Sequence, residues 1–195
     1  MYVNLKLMPT IFKLLLKHLI CGLGCIFFIM IFPAMIDSGI GEIIYSLFAI
    51  IVFFDILYST CWNIGNKHRR DVNIHNRKQQ EVGNEQINLD KKFGIKVSLI
   101  YLLINILIST ICIFMDYSAI PELSVIGNLV IKLWNLEFIS LFLRIVRYRY
   151  ILWLIISVFP SIPILLGYFS GLGGYNRFDQ FIKKLVYKDS KKDSE

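Results

Sequence analysis

Polar stretches are scarce in this chain of 195 residues, and none is long enough to bury a core of its own. That excludes a separate soluble domain. The compact signatures of enzyme chemistry are also missing. There is no P-loop, no glycine-rich dinucleotide turn, no Ser-His-Asp order and no carboxylate pair in a plausible cleft. The three histidines, His18, His68 and His75, show no zinc spacing. A metal or a cofactor is therefore not expected, and a non-enzymatic role is favoured. Ala and Arg are sparse beside Ile, Lys, Asn and Tyr. This is the bias of AT-rich coding sequence and points to a low-GC bacterium.

Apolar residues fill the space. They make up 56% of the chain, and the mean hydropathy is +0.61. They are concentrated in four blocks, residues 14–35, 40–62, 95–115 and 151–169, each close to the ~20 residues that cross a hydrocarbon core as helix. The pattern implies an all-α polytopic protein, one membrane domain over residues 1–195. The bilayer is its first partner. The formal charge of +7 does not suggest nucleic acid, because basic residues gather at the ends of apolar blocks rather than along a face with interleaved aromatics.

Orientation follows from those basic residues, since cytoplasmic flanks are enriched in Lys and Arg. Lys6, Lys13 and Lys17 precede or open the first block, and Lys67, Arg69, Arg70, Arg77, Lys78, Lys91 and Lys92 occupy residues 63–94. The connections at 37–40 and 116–123 contain neither Lys nor Arg. Residues 63–94 thus read as a cytoplasmic basic loop and 175–195 as a cytoplasmic basic tail. Both termini are expected in the cytoplasm of a bacterial cell, with the blocks in its cytoplasmic membrane.

Residues 124–150 are ambiguous. Spanning would bury Lys132, Asn135 and Glu137 in hydrocarbon, at ~2.5–3.5 kcal/mol for a central Lys or Asp. Asn128, Lys132 and Asn135 instead form one polar stripe on an otherwise apolar helix. The stripe predicts four transmembrane helices plus an outer interfacial amphipathic helix; five transmembrane helices are the alternative. Trp62, Trp134 and Trp153 read as headgroup anchors. Pro160 and Pro163 should bend the last span, and Gly167, Gly171, Gly173 and Gly174 should end it.

The stretch YSTCWNIGNKHRRDVNIHNRK, residues 58–78, drops abruptly from apolar to basic. Trp62 anchors a helix end, Gly65 and Asn66 suit the chain's exit from it, and Lys67–Arg70 holds the cytoplasmic side. The same residues, Trp62, Asn66, Lys67, Arg69 and Arg70, could bind a lipid phosphate or an anionic partner, as could Lys183 and Lys184 in a tail suited to an anionic leaflet. The segment W-x-x-G-x-K-x-R-x-x-V, here Trp62, Gly65, Lys67, Arg69 and Val72, together with the closing GYFSGLGGYNRFDQFIKKLVYK, resembles small multi-pass membrane proteins of clostridial and related Gram-positive bacteria. The resemblance covers about a fifth of the chain and implies a membrane location, but no particular chemistry.

Ionisable residues inside a span are functional candidates, because their charge is expensive unless paired or neutralised. His18 and Asp55 fall at similar depth in the first two blocks, and Asn105 lies near the centre of the third. Together they are candidate intramembrane polar residues, with Asp55 as a proton carrier and His18 tuning it. Cys21 and Cys25 share a helix face but read as small packing residues beside Gly22 and Gly24. Two functions remain. One is association, with itself or with a transport, secretion or immunity complex. The alternative is a small proton- or cation-coupled transporter using Asp55 and His18.

Overall fold

Uninterrupted apolar sequence, low in β-breaking turns, gives helices throughout. A computed structural model describes residues 7–31, 39–82, 88–136, 138 and 149–174. Among them the elements are α1 (Leu7–Ile31), α2 (Gly39–Val82), α3 (Lys92–Asp116), α4 (Pro121–Trp134), α5 (Arg149–Val158) and α6 (Ser161–Gly173), and there is no strand. Four helical stretches are long and apolar enough to cross a membrane: Leu7–Ile31, one within Ile43–Gln80, Lys92–Asp116 and Trp153–Gly173.

Side-chain ties fix the directions. Lys17 donates to Thr60 and Tyr45 to the Cys25 carbonyl, so α1 and α2 are antiparallel. Ser109 meets Ser157 at 2.6 Å and Ser98 donates to the Ser161 carbonyl, so α3 is antiparallel to the α5–α6 pair. The last pair is central. Half of its apolar stretch is buried, against 28–33% for the other three. The shared core runs through Leu14, Phe53, Leu57, Tyr101, Ile164 and Tyr168.

Glycines set the closest approach. A Cβ on Gly167 would strike the Tyr58 carbonyl, one on Gly171 the Trp62 carbonyl, and one on Gly65 the Tyr168 carbonyl. α2 and α6 therefore run parallel with backbones in contact, as small residues allow between apolar helices. This corrects two expectations. Gly65 and Asn66 do not release the chain from the helix, since α2 continues to Val82, and residues 63–82 of the expected basic loop are helical. Gly167 and Gly171 do not end the last helix; Gly174 does, with φ 72° in the left-handed region.

Proline breaks the last span as anticipated. Phe159 and Ile162 bond carbonyls three residues back, and the Ser161 hydroxyl donates to the Val158 carbonyl across the break. Pro163 sits in the first turn of α6, where no intrahelical donor is needed.

α4 departs most from expectation. It has 14 residues, about 21 Å at 1.5 Å per residue, which is short of a span. It does not lie across the end of α3 but folds back along it. Ser124 and Asn128 donate to Asp116, and a Cβ at Gly127 would stand 2.7 Å from the Cys112 carbonyl oxygen. Trp134 reaches Asn105, half-way down α3. The polar stripe faces protein: Asn128 meets Asp116 and Asn135 is buried. Glu137 lies outside the described residues, as does the tail 175–195.

The glycine seam predicts an asymmetry. Gly171→Leu should lower stability by about 2 kcal/mol or more, because the clash is with backbone. Gly24→Ala, where a Cβ meets nothing within 4 Å, should fall within about 1 kcal/mol of wild type on the stabilising side. Thermal melting in mild detergent compares them.

Candidate functional site

The polar residues of the interior converge on His18. It sits just over one turn after Leu14, on the same buried face of α1, and is 2% exposed. Its ring lies between Phe53 of α2, with centroids 4.7 Å apart, and Trp134 of α4, at 4.5 Å. Its Nε2 is 2.8 Å from the Trp134 carbonyl oxygen and its Nδ1 is 2.7 Å from the Tyr101 hydroxyl. A carbonyl only accepts, so Nε2–H donates to it. In the neutral ring Nδ1 then accepts the Tyr101 proton.

The remaining bonds close a ring. Trp134 Nε1–H donates to Asn105 Oδ1 at 2.8 Å, and Asn105 Nδ2 donates to the Tyr101 carbonyl, also at 2.8 Å. The circuit runs His18, Trp134, Asn105, Tyr101 and back to His18. It joins α1, α3 and α4. Asn105 is 1% exposed and Tyr101 fully buried, so each bond replaces one that water cannot supply. The arrangement satisfies the imidazole on both nitrogens and leaves it no free edge for a second ligand.

His18 and Asn105 are thus brought into one network, through Tyr101 and Trp134. Asp55 is not in it. It lies on the exposed face of α2 with Ile44, Phe48 and Ile51, three turns of one stripe, while Phe53 and Leu57 point inward. Equal depth placed His18 and Asp55 together in sequence; rotation about the α2 axis separates them. Tyr101, one helical turn before Asn105, carries no sequence signal that sets it apart from other apolar-block tyrosines, and the Trp134 indole, expected at the headgroups, bonds Asn105 in the interior.

The candidate anion-binding residues divide between two faces of α2. Trp62, Asn66 and Arg69 turn toward α6: Gly171 packs on the Trp62 carbonyl, Arg69 donates to Asn66 at 3.4 Å, and the Arg69 guanidinium lies against Gly174. Lys67 and Arg70 are exposed on the opposite face. Lys183 and Lys184 lie outside the described residues. The first motif, Trp62 to Val72, and the described start of the second, residues 167–174, therefore meet as the α2–α6 seam.

His68 is a further correction. It falls within residues 63–94, expected as a loop, yet it is helical and 2% exposed. Tyr168 donates its hydroxyl proton to the Asp90 carbonyl, so His68 Nδ1–H donates to Tyr168 at 2.7 Å. That chain ties α2 and α6 to the start of α3. His75 shares a contact with Gln79. The four cysteines are free thiols, and no group of three metal-ligating side chains occurs among the described residues. No family model, curated protein or solved structure matches the chain.

The ring predicts coupling. Asn105→Leu and Trp134→Phe should each cost about 1–2 kcal/mol by stranding a buried partner, and the double change should cost less than their sum by more than ~0.5 kcal/mol. The corresponding cycle for His18→Leu and Asp55→Leu should show coupling below ~0.5 kcal/mol.

Proposed function

We propose that the chain is a multi-pass protein of a bacterial cytoplasmic membrane, with both termini in the cytoplasm, that acts by association with itself or with a transport, secretion or immunity complex. In this reading α4 is a half-inserted helix entering from the outer side. The observation that carries the reading is the length of α2. Its 44 residues extend about 66 Å at 1.5 Å per residue, more than twice the ~30 Å hydrocarbon thickness. The last two dozen residues project as a helical arm on the side of the basic flanks.

One stripe of this arm is free of the bundle. Asn63, Lys67, Arg70, Ile74, Arg77 and Lys78 recur at helical spacing and are all exposed. The opposite stripe, with Gly65, His68 and Val72, is buried. A rigid basic ridge with one apolar residue, Ile74, at its centre suits an acidic partner surface, where charge steers and a buried side chain anchors. The transporter alternative requires a path joining Asp55 to His18. It is disfavoured by the closed His18 ring.

A photo-crosslinking residue at Ile74 tests the proposal in cells. The expected result is a discrete protein adduct, of the chain's own mass or of one reproducible partner, at least ~tenfold weaker in Arg70→Glu plus Arg77→Glu, the loss expected for two desolvated interfacial charges. Lipid adducts alone, or none, would contradict it.

A further inference from the structure

α1 and α2 are joined by polar ties at two levels and stand apart between them. Lys17 with Thr60 holds one end and Tyr45 with the Cys25 carbonyl the other. Between these bonds lies a crevice of about 510 Å³, lined by Gly24 and Phe28 of α1 and by Phe48, Val52 and Ile56 of α2, with Lys17 as its only charged residue. Two of its lining residues, Ile20 and Phe48, are each 58% exposed, on an outward face that is apolar apart from Asp55 one stripe position beyond Ile51. Gly24 adds a second, separate observation. A Cβ there would meet nothing within 4 Å, so this glycine, unlike those of the α2–α6 seam, is not required by the packing of the chain.

We propose that the crevice holds one acyl chain of an anionic membrane lipid, with the lipid phosphate on Lys17. The lining accepts only hydrocarbon over most of its length. A methylene has about the volume of a water, roughly 30 Å³, so the space takes a chain of about fifteen to twenty carbons. The charge is at the correct end: Lys17 lies on the side of the basic α2 arm, where the head group of an inner-leaflet lipid would sit. Its ammonium has three donors, and its one hydrogen-bond partner among the described residues is the neutral Thr60. Thr60 donates its own proton to the Ile56 carbonyl, so it receives from Lys17 and, being neutral, brings no opposite charge to the ammonium. A phosphate oxygen supplies both the acceptor and the charge.

The inference rests on the chain's spanning a bilayer, but not on the arm or its partner. The test uses the full chain reconstituted in vesicles of equal parts phosphatidylglycerol and phosphatidylcholine. Flotation with the vesicles reports membrane insertion separately. Native mass spectrometry of the floated protein then reads retained lipid. Wild type should keep one phosphatidylglycerol in about fivefold preference to phosphatidylcholine, the increment for one lysine near an anionic surface. Lys17→Arg should keep that preference and Lys17→Gln should lose it. Gly24→Leu should lose the retained lipid while melting no lower than wild type, since the new side chain fills the crevice. A floated wild type that retains no lipid would overturn the proposal, as would a Gly24→Leu protein that retains it unchanged. So would efficient cross-linking of Gly24→Cys to a second copy, which would make the crevice a protein interface.

Discussion

The hydrogen bond from Trp134 to Asn105 is the constraint on which the rest of the arrangement turns. An asparagine in the middle of an apolar helix must find partners, because no water reaches it. The Tyr101 backbone carbonyl accepts from the Asn105 amide nitrogen; the Asn105 side-chain oxygen still needs a donor. The indole of α4 supplies one, and only a helix folded back along α3 brings it to that level. Once α4 is there, the carbonyl of Trp134 accepts from His18. α1 is then held from the side by a residue that would otherwise be as costly as Asn105. One polar residue thus recruits another until the circuit closes.

The second organising contact is steric. Between helices of similar apolarity there is little hydrophobic preference for one face over another, so close packing and a few polar bonds decide. Gly65, Gly167 and Gly171 let two backbones touch, and that contact runs past the apolar part of α2 into its basic part. The same seam that holds α6 therefore supports the helix from Tyr58 to Arg69, into its basic part. Tyr168 seals its end, with His68 on one side and Asp90 on the other. α1 has no such seam with α2, and the crevice follows from that lack.

The four long helices were legible because twenty apolar residues leave few other readings, and the break at Pro160 was legible because proline removes a donor. Asn105 and His18 stood out as polar residues inside apolar blocks. What sequence could not supply was rotation. Asp55 and His18 share a depth, but the spacing of Asp55 from Ile51, Phe48 and Ile44 puts it on the outward stripe, and depth alone does not carry that rotation. Gly65 beside Asn66 looked like a helix exit because its actual reason, the Tyr168 carbonyl, lies about a hundred residues away. The stripe of Asn128, Lys132 and Asn135 was visible, but a polar stripe fits a buried hydrogen-bonding partner as well as a headgroup layer, and Asp116 made it the former.

α4 descends to the level of Asn105 in the middle of the protein, and the depth of Trp134 tests this most directly. In a chain carrying Trp62→Phe and Trp153→Phe, Trp134 is the sole indole, and its fluorescence can be quenched by lipids brominated at different positions along the acyl chain. The strongest quenching is expected from bromines near the bilayer centre, at the level of Asn105, and little from aqueous iodide. Strongest quenching from bromines next to the head group, with ready access to iodide, would place α4 flat on the surface and contradict it.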